Sequence, residues 1–350
     1  MARAVVSVLC ALTLLCAPLA AQDATSGPAV QAFLFGDVLY SEAEGPTSGG
    51  FELGQIVGHG NVLLSNHVAL FGELSLTSHD TGYTIEVERA ILRYDFSDAL
   101  KLSAGRYHTP ISYWNTAYHH GLWLQGSVAR PEAVRFGSRF IPVHFVGAMA
   151  EGRIPGSPVV YHAGVGNGRA ANIARAGDDG DVNGARAVVA SVSVQPPDLL
   201  GARVGGAVYV DNVPTVEGSD ARERILNANV VWDRGGLQLI SEYIHIRHAP
   251  AGSGSVTTSH AAYVHAGVRL RGALRPFMPY ARWERMDIGE GDAVFTGLLP
   301  DYRAVLAGVR WDFSELAALK GEYRDQKVGD AGRVGTFFLQ ASFAVPLYSR

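Results

Sequence analysis

Apolar and polar residues alternate along this chain in short runs that recur from residue 29 to residue 345. In 302–313, Val305, Ala307, Val309, Trp311 and Phe313 alternate with Leu306, Gly308, Arg310 and Asp312. In 259–270, Ala262, Val264, Ala266, Val268 and Leu270 alternate with Tyr263, His265, Gly267 and Arg269. A period of two is that of a β-strand with unlike faces. It predicts about sixteen strands, at 29–41, 51–64, 67–78, 84–96, 100–108, 140–151, 158–166, 185–195, 201–211, 223–232, 237–248, 259–270, 275–286, 302–313, 317–326 and 334–345. Most are long enough to cross a bilayer at a tilt. In 84–96 the polar parity switches between Glu86/Glu88 and Arg89/Arg93, which predicts a bulge. Pro276 and Pro279 weaken 275–286, because each removes a ladder donor.

The connections alternate in length. Short ones such as Ser65-Asn66, Ser97-Asp98-Ala99, Gly272-Ala273 and Ser314-Glu315 take turns with longer ones near 42–50, 79–83, 109–139, 167–184, 212–222, 249–258, 287–301 and 327–333. Transmembrane barrels have this asymmetry, with short periplasmic turns and longer outer loops, and their strand number is even. A soluble sandwich has no reason to keep two classes of loop in alternation. The expected fold is therefore all-β, a transmembrane antiparallel β-barrel of about sixteen strands. Its long third outer loop is expected to fold into the lumen.

Composition sharpens the address. A basic start at Met1–Arg3, an apolar stretch 4–17 and a small-residue exit at Ala20-Ala21 read as a secretory signal peptide, 1–21, leaving one domain, 22–350. Both cysteines, Cys10 and Cys16, fall inside that signal, so the mature chain has no disulfide to staple it. Removing Arg3 takes the formal charge from −4 to −5, which argues against a nucleic-acid partner. After the signal no run of about 18 apolar residues occurs, so no helix is expected to span. Bacterial outer membrane is the expected location, and its lipid the expected surroundings.

The stretch 105–131 fits neither period. It carries Tyr107, Tyr113, Trp114, Tyr118 and Trp123 together with His108, His119 and His120. Long irregular segments in compact domains are usually functional or disordered, and this aromatic density argues against disorder. The wording around it is particular: Gly105-Arg106-Tyr107-His108-Thr109-Pro110, Tyr113-Trp114-Asn115-Thr116, His119-His120-Gly121, Leu124-Gln125, Arg130-Pro131 and Pro142-Val143-His144. Through these residues the chain resembles a family of porin-type outer-membrane proteins, loosely akin to phosphate-selective porins. The layout also resembles the general porins, whose third outer loop narrows the pore. The resemblance implies a channel for small solutes, with a homotrimer as one assembly. It covers some forty residues in wording and names no solute.

Candidate chemistry follows from placing that loop in a lumen. Arg106, Arg130, Arg135, Arg139, His119 and His120 would line a constriction and favour anions, since arginine in a pore focuses an anion-attracting field. Inward Arg93, Lys101, Arg203, Arg269, Arg282, Arg310 and Arg324 could extend this as a basic ladder, against which Glu73, Glu242, Glu284, Asp312 and Glu322 would share the lumen. Equally weighted is the reading in which these charges pair and brace the wall. The aromatics read as anchors of the loop rather than a sugar slide. His119 and His120 with His108 and His144 raise a metal site, set against hydrogen-bonded anchoring. In 178–184, Asp179, Asp181 and Asn183 match the first half of a calcium loop, but Ala190 stands where the closing Glu belongs. An Asx-turn loop is the plainer reading, and no other cofactor is expected. Ser112 or Ser127 with His119 or His120 is the best that can be assembled for a hydrolase, and no Gly-x-Ser-x-Gly elbow accompanies it. The expectation is a non-enzymatic diffusion channel. A non-conducting structural or ligand-binding barrel is the alternative, and a barrel hydrolase comes third.

Overall fold

The computed structural model describes residues 29–45, 49–79, 82–118, 121–252 and 254–349. The expected signal peptide, His119 and His120 lie outside them. The strands are β1 (Ala29–Ala43), β2 (Gly50–Leu63), β3 (Val68–His79), β4 (Gly82–Ser97), β5 (Leu100–His108), β6 (His144–Arg153), β7 (Val159–Asn167), β8 (Arg186–Val194), β9 (Ala202–Pro214), β10 (Asp220–Arg234), β11 (Leu237–Pro250), β12 (Thr257–Val268), β13 (Phe277–Asp287), β14 (Tyr302–Trp311), β15 (Ala317–Val328) and β16 (Val334–Ser349). Each pairs antiparallel with its sequence neighbours, and β1 pairs with β16 to close the barrel. Closure leaves no sheet edge, so the ladder is satisfied without water.

Alternation decides which face meets which solvent. Outward Leu92, Val188, Val230, Val264 and Val305 are exposed, whereas inward Glu73, Glu242, Arg282, Lys320 and Gln340 are buried. Apolar outside and charged inside inverts a soluble domain and requires lipid around the wall. The expected girdle residues also face out. Tyr94 and Phe96 pack at 4.6 Å, and Trp311 and Phe313 at 5.6 Å.

The strand ends differ from expectation by at most four residues, as at 140 against His144 and 345 against Ser349. The loop lengths differ more. Strands β3 and β4 pair up to His79 and Gly82, and β9 and β10 up to Pro214 and Asp220, so the second and fifth outer loops are short. Conversely, the turn before β13 is longer than Gly272-Ala273, because a 3-10 turn at Gly272–Leu274 and then Pro276 delay the strand to Phe277. Pro279 stays in the ladder opposite Val309. The parity switch in β4 is a bulge: Glu73 faces Arg89, Leu74 faces Val87, and Glu88 is the extra residue.

Strand β5 also parts early from β4. Its last partner there is Ala90, opposite Arg106, and β5 continues paired to β6 alone as far as His108–His144. The long third loop, 109–143, leaves from this seam.

Candidate functional site in the barrel lumen

A loop inside a barrel lacks ladder partners for its N–H and C=O groups, so each must find another. The base of the third loop is closed by Thr109 N–H donating to Val143 O at 2.8 Å, and Asn115 Nδ2 donates to both carbonyls, at 2.8 and 3.0 Å. Ser112 then caps a one-turn helix, α1 (Tyr113–Ala117). The Ser112 hydroxyl donates to Glu242 of β11 at 2.9 Å, and the same carboxylate accepts from Tyr113 N at 3.0 Å, Trp114 N at 3.1 Å, Asn227 Nδ2 at 2.8 Å and the Tyr263 hydroxyl. An anion at the first turn satisfies donors that every helix start leaves open. At the other end of α1, Arg130 donates to Trp114 O at 3.2 Å and Tyr118 O at 2.7 Å, and to Val134 O at 3.1 Å on the return leg.

Charged wall residues hold the rest of the backbone by the same logic. Arg282 of β13 donates to Ser127 Oγ and Ala129 O, each at 2.9 Å, and Arg310 of β14 donates to Trp123 O at 2.5 Å and Gln125 O at 2.8 Å. Lys320 of β15 donates to Leu122 O at 2.5 Å and Ser127 O at 3.1 Å. Carboxylates take the amides: Glu322 accepts from Val128 N at 3.1 Å, and Glu284 from Glu132 N at 2.6 Å. Both serines raised for a nucleophile are used here, Ser112 on Glu242 and Ser127 between Arg282 and Ala129 O.

The structure engages the expected basic ladder rather than leaving it as a run of unopposed charge. Arg93 lies 2.7 Å from Asp95 and 3.5 Å from Glu151, and Lys101 lies 3.7 Å from Asp95. Arg282 pairs with Glu284 at 2.8 Å, Arg310 with Asp312 at 2.7 Å and Arg324 with Glu322 at 2.7 Å, while Arg269 also meets Asp312. Arg203 lies over the ring of Tyr113 at 5.2 Å. Of the constriction group, Arg106 pairs with Glu86 at 3.0 Å and with Asp178, and Arg135 with Glu132 at 2.8 Å. Arg139 donates to Leu298 O at 3.4 Å. Among the described residues, Arg130, Arg139 and Arg203 have no carboxylate within ion-pair distance.

The aromatics of the stretch pack rather than line a track. Trp114 is fully buried, its ring 4.7 Å from Tyr118 and 5.9 Å from both Tyr263 and His265. Tyr113 meets Tyr118 edge-on at 6.1 Å, Trp123 lies beneath the Arg310 guanidinium, and the Tyr107 hydroxyl donates to Ser103 at 3.0 Å. With Phe140, Ile225, Ile240, Ile244 and Phe295, this side of the lumen is a packed apolar core.

Space remains on the other side. A cavity of about 340 Å³ is lined by Gln55, Glu86, Glu88, Phe136, His144 and Arg175. One of about 310 Å³ is lined by His59, Phe71, Arg89, Arg93, Tyr107 and Glu151, and one of about 290 Å³ by Asp37, Glu52, Arg130, Arg135, Phe136 and Arg324. An aromatic cluster flanks them on β1–β3: Phe33, Phe35 and His59 lie within 6.4 Å of one another, and Phe71 meets His59 edge-on at 4.6 Å. Arg89 sits over Phe71 at 4.3 Å and pairs with Glu73 at 2.5 Å. In the sequence only the spacing of Phe33 and Phe35, on the strand face of Asp37, hints at this cluster.

Two outer loops are tied down above. His248 bridges Asp292 at 2.8 Å and Glu223 at 3.0 Å, and Glu223 continues to Arg169 at 3.1 Å. Asp292 also accepts from Val294 N and Phe295 N, at 2.9 Å each. Burial alone would raise its pKa, but the bond and charge of His248 and the backbone donors hold it below the ordinary value. A depressed carboxylate contributes stability that is fully present above its unfolded pKa, about 3.9, and is lost as pH falls through the folded one. Proteolysis within 288–301 should therefore be slow at neutral pH and quicken below about pH 4. Asp292→Asn should be cut readily at neutral pH; equal resistance in the variant would mean that the carboxylate does not hold the loop.

In the fourth loop Asp181 accepts from Asn183 N at 3.0 Å and pairs with Arg186 at 3.1 Å, while Asn183 Oδ1 accepts from Ala185 N at 3.0 Å. Asp179 is exposed. The oxygens of Asp181 and Asn183 thus face backbone donors, as in Asx turns.

No family model matches this chain, and no curated protein matches it in sequence. Solved structures do match. The anion-selective porin from Comamonas acidovorans aligns with a TM-score of 0.67 at 12% identity, over 91% of this chain and all of that one. OmpT, an outer membrane protein of Vibrio cholerae, gives 0.64 at 13% identity over 94% of this chain, and the outer membrane channel DcaP of Acinetobacter baumannii gives 0.63 at 9% over 93%; both are covered completely. At these identities the likeness is one of fold, that of outer-membrane porins and channels.

Proposed function

We propose that the protein is a passive diffusion channel of the bacterial outer membrane, with a path for small solutes between the third loop and the wall formed by β15, β16 and β1–β6. The carrying observation is the set of three neighbouring cavities on that side; the other side holds the packed core and a separate cavity of about 370 Å³ lined by Tyr113, Leu200, Arg203 and Asp233. Sixteen-stranded barrels of this fold are wide enough for an aqueous passage even when partly filled.

Anion preference is the finer part of the reading, and the pairing of charges makes it slight. Arg130, Arg139 and Arg203 favour anions, while Glu242 and Asp37, which accept from neutral donors, oppose them. Paired charges leave a field that falls off quickly in a wet pore. Assembly as a homotrimer is part of the proposal, since a trimer form exists for the similar Vibrio protein; unheated gels of purified protein test it.

Purified protein in a planar bilayer should give conductance steps, and under a salt gradient a reversal potential of small magnitude and anion sign. Absence of steps overturns the channel in favour of a barrel closed by its loop. A large cation-sign potential would remove the anion preference and leave the channel standing.

A further inference from the structure

We infer that Glu88, His108 and His144 form a binding site for a divalent transition-metal ion, zinc being the best match, at the seam where β5 parts from β4. Three neighbouring strands deliver these residues. His108, the last residue of β5, stands directly opposite His144, the first of β6, and their ring centroids are 5.2 Å apart. A directly opposed pair leaves the sheet side by side, which is the closest approach two histidines on adjacent strands can make.

Glu88 comes to them through the bulge. In an unbroken strand, consecutive residues face opposite ways, so Glu88 and Arg89 could not share a face. Because Glu88 is the extra residue opposite Glu73/Leu74, both are buried on one side, Arg89 on Glu73 and Glu88 accepting from Ser75 Oγ at 2.5 Å. Bulges are a recurrent means of aiming a side chain at a site. Above Ala90 the upper part of β4 has no ladder partner in β5, and side chains bridge the gap instead. Arg106 Nε donates to Glu88 O at 3.2 Å, and His144 Nε2 lies 2.9 Å from Glu88 Oε2.

The result is two imidazoles and one carboxylate whose ligand atoms all lie within 4.8 Å of one another. Zinc takes nitrogen and carboxylate oxygen at about 2.0–2.2 Å, so donors on one ion stand ~3–3.5 Å apart, and side-chain rotation of about 1 Å gathers this set. Two imidazoles with one carboxylate suit zinc over calcium or magnesium, which prefer oxygen alone. All three residues are largely buried, at 3% exposure for Glu88 and 7% for His108, with 10% for the His144 side chain. Glu88 and His144 nevertheless line the cavity of about 340 Å³, which offers an entry path. Arg106 brings a positive charge to the same seam, but it is turned to Glu86 and Asp178. The ion would clamp β4 to the β5–β6 pair.

The test is isothermal titration of the folded, chelator-stripped protein in detergent with zinc chloride. One saturable site per barrel is expected. Removing residues that only support metal ligands typically weakens binding 10–100-fold, so losing a direct ligand in His108→Ala or His144→Ala should weaken it by ~100-fold or more. Heat-modifiable gel mobility reports whether each variant is folded, and Glu88→Gln, which keeps shape and volume, serves if a histidine variant does not fold. No saturable zinc binding by the parent protein overturns the site, as does unchanged affinity in the folded histidine or Glu88→Gln variants.

Discussion

Glu242→Ala should raise the unit conductance several-fold and make it noisy, while the barrel keeps its strand content and its heat-modifiable mobility. The carboxylate is the shared acceptor for five donors, the hydroxyls of Ser112 and Tyr263, the amides of Tyr113 and Trp114, and Asn227 Nδ2. Each buried donor left without an acceptor costs roughly 1–3 kcal/mol, and these costs do not add simply. A total of about 3–5 kcal/mol is what breaking a buried charged network commonly shows. The strand ladder of β11 does not depend on this side chain, so the loss falls on the helix α1 and the leg 109–118. The leg 122–132 stays tied to Arg282, Arg310 and Lys320. Conductance should therefore rise through a new passage beside β8–β11 without reaching that of an empty barrel. Glu242→Gln retains one acceptor oxygen and should fall between. Unchanged conductance in the alanine variant, with the protein folded, would show that α1 does not obstruct flow.

The barrel was legible because its signal is local and repeated: a period of two, read strand by strand, places Val305 and Arg310 on opposite faces without knowledge of any neighbour. Loop lengths were less legible because strands run on above the lipid, where polarity no longer marks their faces. Asp220 and Pro214 show this, extending the β9–β10 ladder beyond its apolar part. Some of the pairing was also present in the sequence. Arg93–Asp95, Arg282–Glu284 and Arg324–Glu322 are two residues apart on one strand, hence on one face, where opposite charges meet, and Asp312 stands two residues from Arg310, just past the end of β14. What the sequence could not show is what the inward charges hold. Glu242 meets α1 across some 130 residues, and Arg282 meets Ala129 across 153. Such contacts depend on the loop's own conformation. Arg130, read as a selectivity element, is bonded to three loop carbonyls, a role invisible until the loop is folded.

Gly105→Ala should prevent most of the protein from reaching its folded, heat-modifiable form. Gly105 lies where β5 parts from β4, one residue before the last pair, and its φ of +148° is a conformation that L side chains rarely adopt. A methyl group there would lie 1.9 Å from Ala90 O and 2.9 Å from Ile91 Cα. Both are backbone atoms of a paired strand, so no side-chain rotation relieves the clash, and the β4–β5 ladder must open instead. Strain at such a position costs of order 1–3 kcal/mol, and the clash adds to it. Opening the ladder there also disturbs Arg106, whose bonds to Glu86 and Glu88 bridge the seam. Gly72→Ala is the control: it lies in a neighbouring strand with nothing within 4 Å of the added methyl. It should change stability by no more than about 0.5 kcal/mol, as surface substitutions usually do. If the two variants fold in equal yield and melt together, the departure of the third loop does not depend on the glycine. If only Gly105→Ala fails, the lumen is furnished by a backbone conformation that a single residue type permits.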